Sequence, residues 1–237
     1  MAITATAQYI IDQALTELGL PTSQVGSTQV TQLVQQSLAI LNSLGDDTNK
    51  VHDWQFLEKV AAYTGNGVDS ELAFPADFGR IVNQTQWSSN MRRPMIGPLT
   101  PQEWGWTQYG IVSVGIYYRY RILDNLFAIY PTPALNDTFN FFYISKNWVR
   151  AADGTFKDTI TATDDVPLYD RGLMVAGLKL RMWQIKGFDT TALAREFNYR
   201  LEAEKGQNQG AQAISLSGEP GFHLLDANNI PDGSWQV

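Results

Sequence analysis

The stretch FPADFGRI, Phe74 to Ile81, places a carboxylate and a guanidinium three positions apart, at Asp77 and Arg80. On one helical turn that spacing brings the two groups together, as an acid–base site or a structural clamp would require. Pairs of this kind are far more often surface or corner ion pairs than catalytic machinery. The question for the rest of the chain is whether any other residue supplies the chemistry that Asp77 and Arg80 would need.

The reactive residue types are thinly spread. There is no cysteine, which removes disulfide frameworks, thiolate metal sites and cysteine nucleophiles. His52 and His223 are the two histidines, and neither has a metal-ligand companion at helical or turn spacing, so a zinc site of the usual kind is not expected. No G-x-S-x-G elbow or Walker loop occurs, and GNG at 65–67 lacks the third glycine of a dinucleotide cradle. The pairs Asp46/Asp47 and Asp164/Asp165 lack the alternating oxygens and bidentate glutamate of a calcium loop. They stand where helix ends are expected, and capping accounts for them. Glu103 follows Thr100 and Pro101 at the spacing of a capping box, which explains its identity without catalysis. The sequons at Asn83 and Asn136 have no secretion signal to give them meaning. Seven tryptophans could form sugar-stacking platforms, but large rigid rings more often fill cores and subunit contacts. The residues therefore point to no catalytic, cofactor or metal site.

The elements that must hold these residues read as α+β. Thr4 or Thr6 can cap a first helix with Ile10, Ile11, Ala14, Leu15 and Leu18 on one face, stopped at Gly19 and Pro21. Ser27 or Thr28 can cap a second, whose stripe runs from Val30 through Leu33, Val34, Leu38 and Leu41 to Leu44, with Gly45 as its end. From 57 to 160 the composition turns to aromatic and β-branched residues broken by turn formers. There IYYRYRI, LDN and LFAIYP predict a hairpin, and TFNFFYISKNWV at 138–149 a third strand, completing an antiparallel meander. Helical patterning returns with Asp164 or Asp165 as cap, Pro167 in the first turn, and Leu173, Leu178, Met182 and Ile185 on a buried side up to Gly187. A last helix runs from Asp189 to about Gly206, with Leu193, Phe197 and Leu201 on one face and Glu196 and Arg200 as a surface pair.

The expected architecture is an antiparallel bundle of two N-terminal and two C-terminal helices, residues 1–56 and 161–217, with a β-rich lobe inserted at 57–160. The segment 218–237 keeps Phe222, Leu224, Leu225, Ile230 and Trp235 among prolines and glycines, too apolar for a solvated linker. It reads as an extended arm that orders against a surface.

A formal net charge of −7 argues against tight DNA binding, which wants a basic face. An acidic surface still permits DNA to slide past it. The opening residues mix polar groups into their apolar positions, against a secretory signal, and no apolar run is long enough for a bilayer crossing.

The order of features is distinctive: two helices, then DWQFLEKV, ELAFPADFGRI, PLTPQEWGW, a hairpin ending LFAIYPTP, FFYISKNWV and DDVPLYDRGLMVAGLKLRMW. This string resembles the head-to-tail connector adaptors of short-tailed bacteriophages, the tail tubular protein A family, over nearly the whole chain to about residue 216. The resemblance implies a structural virion protein made in the host cytoplasm, without enzymatic activity or cofactor. It implies a homo-oligomeric ring of twelve under the portal protein, joined to the tail nozzle protein and tail fibres, around a channel that DNA crosses without specific binding. On that reading FPADFGRI is a corner. Pro75 ends a strand, Asp77 caps or bonds the turn, Phe78 plugs the core and Arg80 pairs locally. The arm residues would meet the portal. The competing expectation is a carbohydrate-binding or glycan-degrading tail module, commonly trimeric.

Overall fold

The computed structural model describes residues 4–22, 28–110 and 117–209. Its helices are α1 (Ala7–Glu17), α2 (Thr28–Val51), α3 (Pro101–Tyr109), α4 (Arg171–Lys186) and α5 (Thr191–Gln209). The strands are β1 (Glu58–Thr64), β2 (Glu71–Ala73), β3 (Phe78–Ile81), β4 (Trp87–Ser88), β5 (Arg93–Pro94), β6 (Arg119–Leu123), β7 (Leu126–Tyr130), β8 (Thr138–Ser145), β9 (Val149–Arg150), β10 (Phe156–Lys157) and β11 (Val166–Pro167). All the ladders between them are antiparallel, and the fold is α+β.

Helices α1, α2, α4 and α5 form one layer because their apolar faces share a core. Thr6 caps α1, accepting from the Tyr9 N–H, and Ile10, Ile11, Ala14 and Leu15 are buried. Two further N–H groups of its first turn, at Ala7 and Gln8, donate to the carbonyls of Asp165 and Thr163. Helix α4 packs against α1, α2 and α5. Gly177 marks a close approach, since a Cβ there would lie 2.5 Å from Leu44 of α2 and 3.0 Å from Phe197 of α5. Lys179 interrupts this apolar surface and is itself buried. Its ammonium reaches Glu17 of α1 at 2.6 Å and Glu196 of α5 at 3.1 Å.

Two helix boundaries differ from the sequence expectation. Helix α2 does not stop at Gly45 but continues to Val51. Gly45 is there for contact: a Cβ would sit 2.2 Å from the ring of Trp148, which lies flush on the helix. Helix α4 does not begin at Asp164 or Asp165. Its cap is Asp170, whose carboxylate accepts from the N–H groups of Gly172 and Leu173. Asp165 is instead buried in a turn, accepting from the N–H groups of Thr161 and Ala162 and pairing with Lys157 at 2.7 Å, while Pro167 belongs to β11. Ile185, expected on the buried side, is 61% exposed, because the last turn of α4 leaves the core. Leu173, Leu178 and Met182 are buried as the pattern predicts, and Gly187 closes the helix at φ +75°.

In the β region the hairpin β6–β7 is present, with Asp124 and Asn125 both at positive φ, as a two-residue hairpin turn requires. The meander is not. Strand β7 has β6 on one edge and β2 on the other, so β8 cannot join it. Strand β8 is instead the centre of a five-stranded sheet, paired with β1 along seven residues and with β3 and β4 on its other side. A second core fills the space between the two sheets, built from Tyr120, Phe127, Ile129, Phe139, Phe141 and Tyr143. The Phe127 and Phe141 rings meet at 5.0 Å across it. Among the described residues no helix is long and apolar enough to cross a membrane.

Candidate functional site

The segment Phe74–Ile81 carries the chain from one sheet to the other. Strand β2 ends at Ala73, the Phe78 N–H closes a turn onto the Pro75 carbonyl at 2.9 Å, and β3 begins at Phe78 against β8. Phe74 and Phe78 stack at 3.9 Å between ring centroids and pack on the lobe core. Phe78 is only half-buried, a lid on that core more than its filling.

Asp77 and Arg80 do not bond to each other. The carboxylate of Asp77 accepts from Lys59 Nζ at 2.5 Å and from the hydroxyls of Tyr143 and Ser145 at 2.9 Å each. Burial pushes its pKa up, but these three donors outweigh burial and hold it below the ordinary carboxylate value. Burial, reinforced by the bond to Asp77, pushes the Tyr143 hydroxyl up to about 12. A carboxylate with these three donors is a staple across β1, β3 and β8.

Arg80 points the other way, into the helical layer. Its guanidinium donates to the carbonyls of Asn49 at 2.9 Å and His52 at 2.6 Å, to the Asn49 side chain at 3.2 Å and to Asp53 at 2.9 Å. These carbonyls belong to the C-terminal end of α2, where the helix dipole is negative and the backbone lacks intrahelical donors. Arg80 therefore caps a helix 28 positions before it in the chain, a partner that local spacing does not reveal. A cleft of about 390 Å³ opens beside this clamp, lined by Asp46, Asn49, Lys50, Gly79, Lys146 and Asp158. Arg80 and Thr159 complete its wall, which carries three cations, Arg80, Lys50 and Lys146, against two carboxylates, Asp46 and Asp158.

The loop that Arg80 grips also receives the end of α5. Asn208 accepts from the Gln55 N–H at 3.2 Å and turns its amide nitrogen toward His52 Nε2 at 3.1 Å. A backbone N–H can only donate, so the amide oxygen faces Gln55 and the nitrogen faces the ring, which requires Nε2 to be an acceptor. Burial lowers the His52 pKa and keeps the ring neutral for that purpose.

The remaining candidates are structural. Glu103 and Thr100 form the reciprocal capping box of α3. Asp46 accepts from the Trp148 indole at 3.1 Å, and Asp47 pairs with Arg181 at 2.5 Å. Among the described residues no group of three His, Asp or Glu side chains could hold a metal ion. Trp54, Trp104 and Trp148 are buried and Trp87 and Trp183 half-buried, leaving Trp106 as the one strongly exposed tryptophan among the described residues. His223, Phe222, Leu224, Leu225, Ile230 and Trp235 lie outside the described residues. Sequence reasoning missed the Arg80 helix cap, the Lys179 bridge and the His52–Asn208 contact. The one signal for any of these was a lysine within an apolar helix face, which obliges carboxylates to come from neighbouring helices.

The geometry thus describes a junction between a helical layer and a β lobe, gripped by Arg80 of β3 at the end of α2. Residues 4–218 match the family model described as SU10 adaptor protein. A search of curated proteins found no match.

Proposed function

The chain belongs to the SU10 adaptor protein family, which makes it a structural adaptor of the bacteriophage virion, and from that premise we propose its place between the head and the tail. It is the subunit of a ring of twelve that seats under the portal protein, joins it to the tail nozzle protein, offers its outer face to tail fibres, and surrounds the channel through which DNA leaves. The observation that carries this reading is the family match across almost the entire chain. The clamped junction supports it, because a subunit under load during DNA passage needs its two layers fixed to each other. Its acidic balance supports a channel that lets phosphate pass without gripping it.

Attachment falls to the segment 218–237, an extended arm whose Phe222, Leu224, Leu225, Ile230 and Trp235 enter clefts of the portal. One arm per subunit, repeated around a ring, multiplies a modest affinity into a stable joint. Co-sedimentation with purified portal rings tests this. The full chain should pellet with the portal, and a chain ending at residue 217 should stay folded and remain in solution. Normal binding by the shortened chain would remove the arm from the account, and failure of the full chain to bind would remove the portal.

A further inference from the structure

One stretch of the β lobe carries net charge of the opposite sign to the rest of the chain. Between Met91 and Leu123 there are four arginines and one carboxylate, Glu103, a balance of +3, so the remaining residues carry −10 of the chain's −7. Glu103 is committed to its capping box. None of the four guanidiniums forms an ion pair among the described residues. Arg93 lies over the Tyr117 ring at 5.3 Å and Arg119 donates to Thr107 at 3.3 Å, while Arg92 and Arg121 have no partner among those residues.

The segments that carry these groups adjoin one another. The chain before α3 runs beside β6, with Ile96 bridged to Arg119 and the Leu99 N–H bonded to the Tyr120 carbonyl, and α3 abuts β6 through Thr107. In the same stretch Trp106 is 60% and Tyr109 89% exposed. Exposed tryptophan, tyrosine and arginine together are the composition of an interface centre, where rings supply area and guanidiniums supply direction.

We infer that this arginine–aromatic face binds the acidic surface of a second copy of the chain. The occupant follows from charge: the −10 on the remainder of each copy is the complement of the +3 on this stretch. A basic stretch meeting an acidic body is a head-to-tail contact between different surfaces, the kind that closes into a ring when repeated. The inference rests on the ring reading above and assigns that ring one of its faces.

The test uses the full chain bound to portal rings, with a photo-reactive benzoyl-phenylalanine at position 109. Illumination should give chain-to-chain cross-links. The variant Arg92→Glu/Arg121→Glu, which breaks no internal bond, should reduce their yield at least tenfold. Cross-links to portal, nozzle or DNA alone, no cross-links, or a yield unmoved by charge reversal would each overturn the assignment. The mass of the portal-bound assembly, measured in parallel, judges the ring itself. A ring that assembles equally well with both arginines reversed stands without this face.

Discussion

At the scale of single residues, the charged groups that draw the eye in FPADFGRI act on distant partners. The expectation that Arg80 pairs locally fails, although a corner around Asp77 and Arg80 was legible from the proline, acid and small residues there. Their partners were not, because sequence spacing reports local bonds, whereas Asp77 reaches Tyr143 and Ser145 and Arg80 reaches the end of α2. Replacing Arg80 with alanine should cost about 2 kcal/mol in denaturant unfolding, the range for charged hydrogen bonds to backbone. Asp53→Ala, which removes only the half-exposed ion pair, should cost less than about 1 kcal/mol. Lys179 gives a prediction of the other kind. Its carboxylate partners keep enough exposure to be rehydrated, and Glu196 retains Arg200 at 3.0 Å. Lys179→Met should therefore leave stability within about 1 kcal/mol of the parent by the same measurement, since an apolar side chain loses the pair but escapes its desolvation.

At the scale of elements, caps and stripes announced α1, α3 and α5, and the Asp124–Asn125 turn fixed the hairpin. What misled was residue identity with two meanings. A glycine after an apolar stripe reads as a stop, yet Gly45 lies within α2 to admit Trp148, and nothing local tells contact from cap. Gly45→Ala should destabilise by about 3 kcal/mol in thermal or denaturant unfolding, the upper part of the range for overpacking, although alanine favours helix by propensity. The strand order was hidden for a different reason: three successive strands suit a meander unless an earlier strand, here β2, has already taken the free edge. The end of α5 adds a dependence on pH. The folded pKa of His52 is depressed below 6.5, by burial first, with Lys205 and Arg80 acting in the same direction and Asp53 and Glu202 opposing. Its contribution is complete above about pH 6.5 and is lost as pH falls through the folded value. Protonation sets N–H against the Asn208 amide and should loosen the last turn of α5. Hydrogen exchange of residues 204–209, corrected for intrinsic rates, should speed up on acidification in the parent and stay level in His52→Gln.

At the scale of the whole molecule, the class α+β and the pairing of helices with a β-rich middle were readable from composition and periodicity, because burial imposes its period on the sequence. The joint between layers was not readable, since the long-range bonds from Arg80 to the end of α2 leave no periodic trace. Membership in the SU10 adaptor protein family makes the chain a structural adaptor of the phage. The central claim is the ring, and native mass measurement of the full chain saturating isolated portal rings tests it most directly. The account predicts a single complex carrying twelve copies of this chain per portal ring. A trimer in solution that leaves the portal bare, or a scatter of single copies with no preferred number, would contradict it.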